Sequence, residues 1–223
     1  QGYGQTETAP VVSANPPYKI KLDTVGLVLK GTTVKIANDG EILVSGENVM
    51  NGYWNDPKTT SSTLINGWIH TGDIGELDEE GYLKITDRKK DIIVNAGGDN
   101  ISPSRVEEKL NIEPEIAQSM MYGDFKNYLV AILVPDRDYT QEWAKDHHKE
   151  FNIKKLNQDS DFIKMIKTTT ERVNKKLSQI EQVRKFLLID EEFTVENDMM
   201  TPTLKVRRFK VKEKYQSQLE SLY

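Results

Sequence analysis

Glu7, Asp73, Asp87, Arg88 and Lys205 each stand on or near a turn rich in glycine or proline, and as a set they suit phosphate chemistry. One carboxylate can hold Mg2+ through oxygen and another can accept hydrogen bonds from sugar hydroxyls. Cations can offset charge that builds up on phosphate oxygens. The opening segment, QGYGQTETAP, places Gly2 and Gly4 at alternate positions, where backbone can lie flat against a planar or anionic group. Lys205 sits in a Pro-containing loop ahead of the last helix, a place for a mobile phosphate clamp. Each residue also has a plainer reading: a polar loop around Glu7, a turn acid at Asp73, a solvated basic flank from Lys205 to Lys214. Composition alone does not separate these readings.

Other chemistries are excluded more readily. The chain has no cysteine, so disulfides, thiolate metal sites and a cysteine nucleophile are absent. Of the three histidines, His147 and His148 are adjacent, and adjacent helical positions do not share a face, so these residues make no metal site. Neither a G-x-S-x-G elbow nor a Walker A lysine loop occurs. A net charge of −5 over 223 residues argues against binding a nucleic acid polymer. No stretch approaches the roughly 20 apolar residues of a membrane span. The start, without Met or a signal-peptide pattern, reads as a chain cut in mid-sequence.

The stretch from Asp87 to Pro103, DRKKDIIVNAGGDNISP, must position much of this set. A charged run interrupts the apolar pattern at 87–90 and Ile92-Ile93-Val94 resumes it. Gly97-Gly98 lets the backbone turn where a side chain would obstruct it, and Ser102-Pro103 starts a helix. The pattern suggests a joint followed by a loop that approaches something closely.

Before the joint the signals are β. Thr32–Ile36 and Glu41–Ser45 flank Asn38-Asp39-Gly40, strong hairpin chemistry. Asp56-Pro57 starts a helix that Asn66-Gly67 stops. Short strands are expected at Trp68–His70, Ile74–Leu77 and Tyr82–Thr86, with Thr71-Gly72-Asp73 interrupting the first pair. After the joint, helices and strands alternate. A helix at Ser104–Leu110 precedes strands at Ile116–Tyr122 and Tyr128–Val134. A polar helix follows at Tyr139–His148, then an amphipathic one with Phe162, Ile166, Val173, Leu177 and Ile180 on its stripe. Phe186–Ile189 reads as a buried strand, and Val211, Tyr215, Leu219 and Leu222 as the stripe of a final helix. The expected class is mixed α+β, with residues 1–86 a β-rich unit and 87–223 a compact α+β unit. The charged run joins them and favours a hinge over a flexible tether.

Five fragments in order, YGQTE (Tyr3–Glu7), GYW (Gly52–Trp54), GWIHTGD (Gly67–Asp73), GYLKITDRKKDIIVNAGGDNISPSRVE (Gly81–Glu107) and TPTLKVRR (Thr201–Arg208), resemble the C-terminal part of an AMP-forming acyl-CoA synthetase of the adenylate-forming superfamily. The last fragment is closer to the long-chain fatty acyl-CoA synthetases than to the acetyl-CoA synthetases. The resemblance implies that residues 1–86 close a large N-terminal domain and that 87–223 form a mobile lid domain.

It also implies an activity in two steps: ATP and a fatty acid give acyl-adenylate, then CoA takes the acyl group and AMP leaves. By resemblance, Gly2, Tyr3 and Gly4 lie beside adenine, Thr6 lies near the phosphates and the acyl carboxylate, and Glu7 binds Mg2+. Asp73 and Arg88 contact ribose, and Lys205 bridges carboxylate and α-phosphate during adenylation. Asp87 is the hinge, and the Gly97-Gly98 loop lines the CoA path. The family's phosphate loop has no match in these residues, so the 223-residue chain alone is expected to be inactive. Other acceptors (a carrier protein, or a luciferase-like reaction) and a non-catalytic nucleotide-binding module are the competing readings. The implied setting is cytoplasmic, with a peripheral place at a membrane compatible with long-chain fatty acids; no protein partner is legible.

Overall fold

Asn38-Asp39-Gly40 does close a hairpin in the computed structural model, which describes all 223 residues. Gly40 takes φ 84°, and its N–H donates to Ala37 O across the turn. The chain divides into two compact units, residues 1–90 and 91–223.

The first unit begins with three two-residue strands, β1 (Gly2–Tyr3), β2 (Ser13–Ala14) and β3 (Leu27–Val28), which form a small antiparallel sheet. A five-stranded antiparallel sheet follows: β4 (Thr32–Ile36), β5 (Glu41–Gly46), β6 (Leu64–Ile65), β7 (Trp68–Leu77) and β8 (Leu83–Arg88). Helix α1 (Pro57–Thr63) is capped by Asp56, which accepts from Thr59 N–H, with Pro57 at its first turn. Asn66-Gly67, expected to stop that helix, is instead the turn between β6 and β7, with both residues at positive φ. The helix has already ended at Thr63.

β7 organises this unit. Two short strands are expected where the chain forms one strand of ten residues. The interruption at Thr71-Gly72-Asp73 is a bulge: Glu41 pairs with Ile74 and Leu43 with His70, so three residues of β7 oppose Ile42 alone. Along one edge, the first half of β7 pairs with β6 and the second half with β8. The inward face carries Ile69, Thr71 and Asp73, and the core beneath includes Ile42, Val44 and Leu83.

The charged run expected as linker is partly ordered strand. Asp87 and Arg88 finish β8, paired with Ile74 and Asp73, and Asp87 is only 7 % exposed. The division between units falls at Lys90–Asp91, inside a short 3-10 turn spanning Lys89–Asp91.

The second unit opens with a hairpin of β9 (Ile93–Val94) and β10 (Asn100–Ile101), then α2 (Pro103–Asn111), with Ser102 as cap. Its sheet orders β11 (Ile116–Tyr122), β12 (Leu129–Pro135) and β13 (Val183–Leu188), antiparallel then parallel. The parallel return is carried by α3 (Arg137–Asp146), the single turn α4 (Ile153–Leu156) and α5 (Ser160–Asn174). Every residue of β12 is buried, because the sheet is covered on both faces. Leu129, Ala131 and Leu133 pack with Val106, Leu110, Trp143, Phe162, Ile166 and Val173. Val130, Ile132 and Val134 pack with Phe193, Met199 and the α6 (Arg208–Glu220) residues Val211, Tyr215 and Leu219.

Two stripes end earlier than periodicity predicts: α5 stops at Asn174, leaving Ile180 exposed, and Leu222 lies beyond α6. Of the stretch expected as a buried strand, Phe186, Leu187 and Leu188 end the edge strand β13 and are half-buried, since nothing pairs beyond it, whereas Ile189, just past the strand, is buried. The mixed α+β class is as expected.

Candidate functional site

Asp73 is held in the β7 bulge at 3 % exposure, and three donors converge on it. Arg88, its register partner on β8, places Nε 2.7 Å from Oδ1. On the other oxygen, Oδ2, Tyr3 donates its hydroxyl at 2.6 Å and Gln5 donates Nε2–H at 2.8 Å. Gln5 also donates to Thr71 O at 3.0 Å. Burial, and then the bond to Asp73, push the Tyr3 hydroxyl well above its ordinary range, so it stays a donor. The structure therefore brings Tyr3, Asp73 and Arg88 together, and adds Gln5, which sequence reasoning missed although it lies inside the YGQTE fragment.

Packing inside this segment gives its own reason for a glycine at position 4. A side chain at Gly4 would place Cβ 1.6 Å from Pro10 O, and at Gly2 3.1 Å from Ser13 O. Close packing against the following backbone requires Gly4, whatever lies outside. Thr6 and Glu7 occupy a short 3-10 turn. Thr6 is exposed, and Glu7 is half-buried with Oε1 accepting from the Tyr53 hydroxyl at 2.8 Å. That bond to Glu7 raises the Tyr53 hydroxyl above its usual range, with burial adding to it. Glu7 and Tyr53 line a polar cavity of about 380 Å³ with Gln5, Glu41, His70 and Lys89. Tyr53, Glu41 and Lys89 were not singled out from sequence; the GYW fragment was the available signal for Tyr53.

On the second unit, Gly97-Gly98 forms the tip of the β9–β10 hairpin. Asn95 Oδ1 accepts from both Gly97 N–H and Asp99 N–H at 2.9 Å, and Gly98 takes φ 85° with open space where a Cβ would be. The Gly98 requirement is thus conformational, and the tip is sterically bare.

Lys205 lies on a second tight turn. Thr201 N–H donates to Lys205 O, Leu204 N–H donates to Thr201 O, and Lys205 N–H donates to Thr201 Oγ1. Leu204 adopts φ 58°, and its side chain is exposed. Met200 and Val206 bridge below the turn. Arg208 anchors the base through two parallel bonds to the buried Glu107, and Arg207 pairs with Asp198. The Lys205 side chain is exposed and forms no ion pair.

A family model described as AMP-binding enzyme matches residues 1–54, and one described as AMP-binding enzyme C-terminal domain matches residues 90–223. The chain is 37 % identical to the long-chain-fatty-acid–CoA ligase FadD15 of Mycobacterium tuberculosis, covering all of this chain and 38 % of the relative. It is 34 % identical to long-chain-fatty-acid–CoA ligase 1 of Cavia porcellus, again over the whole chain and 34 % of the relative. The chain thus spans little more than a third of the length of these relatives. Among solved structures, the adenylation domain of a carboxylate reductase from Mycobacterium chelonae matches the whole chain with TM-score 0.79 at 24 % identity, over 34 % of its own length. O-succinylbenzoate coenzyme A synthetase from Bacillus subtilis, in complex with AMP, matches 95 % of the chain and 40 % of its own, with TM-score 0.66 at 29 % identity.

Proposed function

The chain belongs to the AMP-binding enzyme family, and from that premise we propose that it works as the C-terminal part of a long-chain fatty acid–CoA ligase. The observation that carries this reading is similarity along the entire chain, at 37 % identity, to a ligase of that specificity. ATP and a long-chain carboxylate form acyl-adenylate and pyrophosphate. The CoA thiol then attacks the acyl carbon, the thioester bond forms, and AMP leaves.

Asp73 takes the ribose. An ionised carboxylate offers about four acceptor positions, and Arg88, Tyr3 and Gln5 already use three. Binding both ribose hydroxyls therefore requires one donor to give way. Arg88, 52 % exposed at its side chain, is free to swing onto the ribose, whereas Tyr3 is buried. Gly2, Tyr3 and Gly4 border the adenine, and Thr6 faces the phosphates and the acyl carboxylate.

Glu7 fits Mg2+ in its donor chemistry: one oxygen is fixed by Tyr53, and the other has no partner in the chain. Mg2+ is commonly held by one or two carboxylates together with substrate phosphates. When bound it neutralises phosphate charge.

Lys205, on its fixed turn with an unpaired ammonium, supplies the cation for charge developing on the α-phosphate. Thioester formation needs an open path for the thiol arm, so the second unit reorients between steps and presents the Gly97-Gly98 tip to CoA. The joint spans residues 87–91: Asp87 anchors it to β8, and the residues around Lys90, where the units divide, absorb the rotation.

A CoA-ligation assay of the full-length protein over acids of increasing chain length tests this reading. AMP and acyl-CoA should form best with long chains; absence of acyl-CoA with every acid would overturn it.

A further inference from the structure

Glu41 opens β5 at 4 % exposure and gathers three groups. Oε1 accepts from Gly72 N–H at 2.9 Å. Oε2 accepts from Lys89 Nζ at 2.9 Å and lies 3.0 Å from His70 Nδ1. Lys89 continues to Asp39 at 2.7 Å. Gly72 immediately precedes Asp73, and Lys89 immediately follows Arg88. Two of the three groups on Glu41 are therefore chain neighbours of the two residues that meet at the ribose site.

The bulge needs such support. Gly72 sits at φ 70° with no atom within 4 Å of where a Cβ would point, so its conformation is not held by packing around that position. The bonds from Gly72 N–H to Glu41 and from Thr71 Oγ1 to Ile42 O hold it instead. A buried carboxylate is costly unless its donors stay in place. Losing Lys89 from Oε2 would thus disturb the same side chain that fixes Gly72.

We propose that Glu41 is a positioning residue that sets the Asp73–Arg88 geometry from behind and links it to Lys89 at the entry to the joint, a role that presupposes the nucleotide site proposed above. A movement at residues 89–91 that withdraws Lys89 then weakens the ribose site. By reciprocity, a bound nucleotide favours the arrangement that keeps Lys89 in place. Lys89 is suited to be the movable partner, since its side chain is 47 % exposed while that of Glu41 is buried.

The test measures AMP affinity by calorimetry in the full-length protein, for Glu41→Gln, Lys89→Gln, their double variant, Lys89→Arg and Asp73→Asn. Gln at 41 can still accept from Gly72 but sets an amide donor against Lys89. Glu41→Gln and Lys89→Gln should each weaken AMP binding by about three- to tenfold, and the double variant should be no worse than the worse single, as one shared interaction requires. Lys89→Arg should recover most of the affinity. Because Lys89→Gln takes a donor from a buried carboxylate, the urea midpoint of each variant is measured alongside, so that AMP is titrated against folded protein only. If Asp73→Asn loses affinity while Lys89→Gln binds as wild type, or the two single effects multiply, the link is absent. If Asp73→Asn binds AMP normally, the nucleotide site itself is misplaced, and the role of Glu41 falls with it.

Discussion

Asp73 and Arg88 face each other as register partners across β7 and β8, with Arg88 Nε 2.7 Å from Asp73 Oδ1. The pair joins an acid in a bulge to the last residue of β8, the strand that runs into the joint. Asp73→Asn should cut AMP affinity at least about tenfold, or roughly 1.4 kcal/mol, measured by titration of the full-length protein. An unchanged affinity would remove Asp73 from the site.

Tyr3→Phe deletes one of the three donors on a buried carboxylate. It should destabilise the first unit by about 1–3 kcal/mol, the usual cost of leaving a buried polar group less well satisfied, seen as a lower urea midpoint. Midpoints equal to wild type would mean that Tyr3 is held by packing alone.

The joint calls for a particular substitution. Proline at Asp87 would damage the β7–β8 ladder as well as restrict the backbone, because Asp87 is a buried strand residue. Lys90→Pro instead acts where the units divide. It should slow one half-reaction at least about tenfold relative to the other, taking tenfold as 1.4 kcal/mol of barrier. Equal, normal rates for both steps would place the pivot elsewhere.

Glu113 gives a pH test on the second unit. Burial opposes its charge, but bonds from Arg172 and Lys176 outweigh that and hold its carboxyl below the usual range. A depressed folded-state pKa contributes stability above the ordinary carboxylate value of about 4.3, and that contribution is lost as pH falls through the folded value. Glu113→Gln should therefore be less stable than wild type near neutrality, with the gap closing in acid. A gap constant from pH 7 to pH 3 would contradict the assignment.

Local chemistry made much of the fold legible. Asn38-Asp39-Gly40, Asp56-Pro57 and Ser102-Pro103 do what turn and cap chemistry dictates. Alternation in β12 could not be read, because both of its faces are buried and every residue is apolar apart from the closing Pro135. Thr71-Gly72-Asp73 looked like a break because a glycine and two polar residues interrupt the apolar pattern. A bulge keeps the strand continuous, and only the register with Glu41 and Leu43 reveals it. At the candidate site, family resemblance singles out Tyr3, Asp73 and Arg88, which the structure brings into contact. Glu41 was not legible, since a lone acid opening a strand carries no local signal and its partners lie 29 to 48 positions away.

The most direct measurement is the pair of half-reactions in the full-length protein carrying Lys205→Ala. ATP–pyrophosphate exchange with a long-chain fatty acid should fall by at least about a hundredfold, corresponding to 2.7 kcal/mol of lost transition-state stabilisation. Acyl-CoA formation from supplied acyl-adenylate should stay near the wild-type rate. Equal loss in both steps, or undiminished exchange, would contradict the division of labour assigned to the Lys205 turn and the Gly97-Gly98 tip.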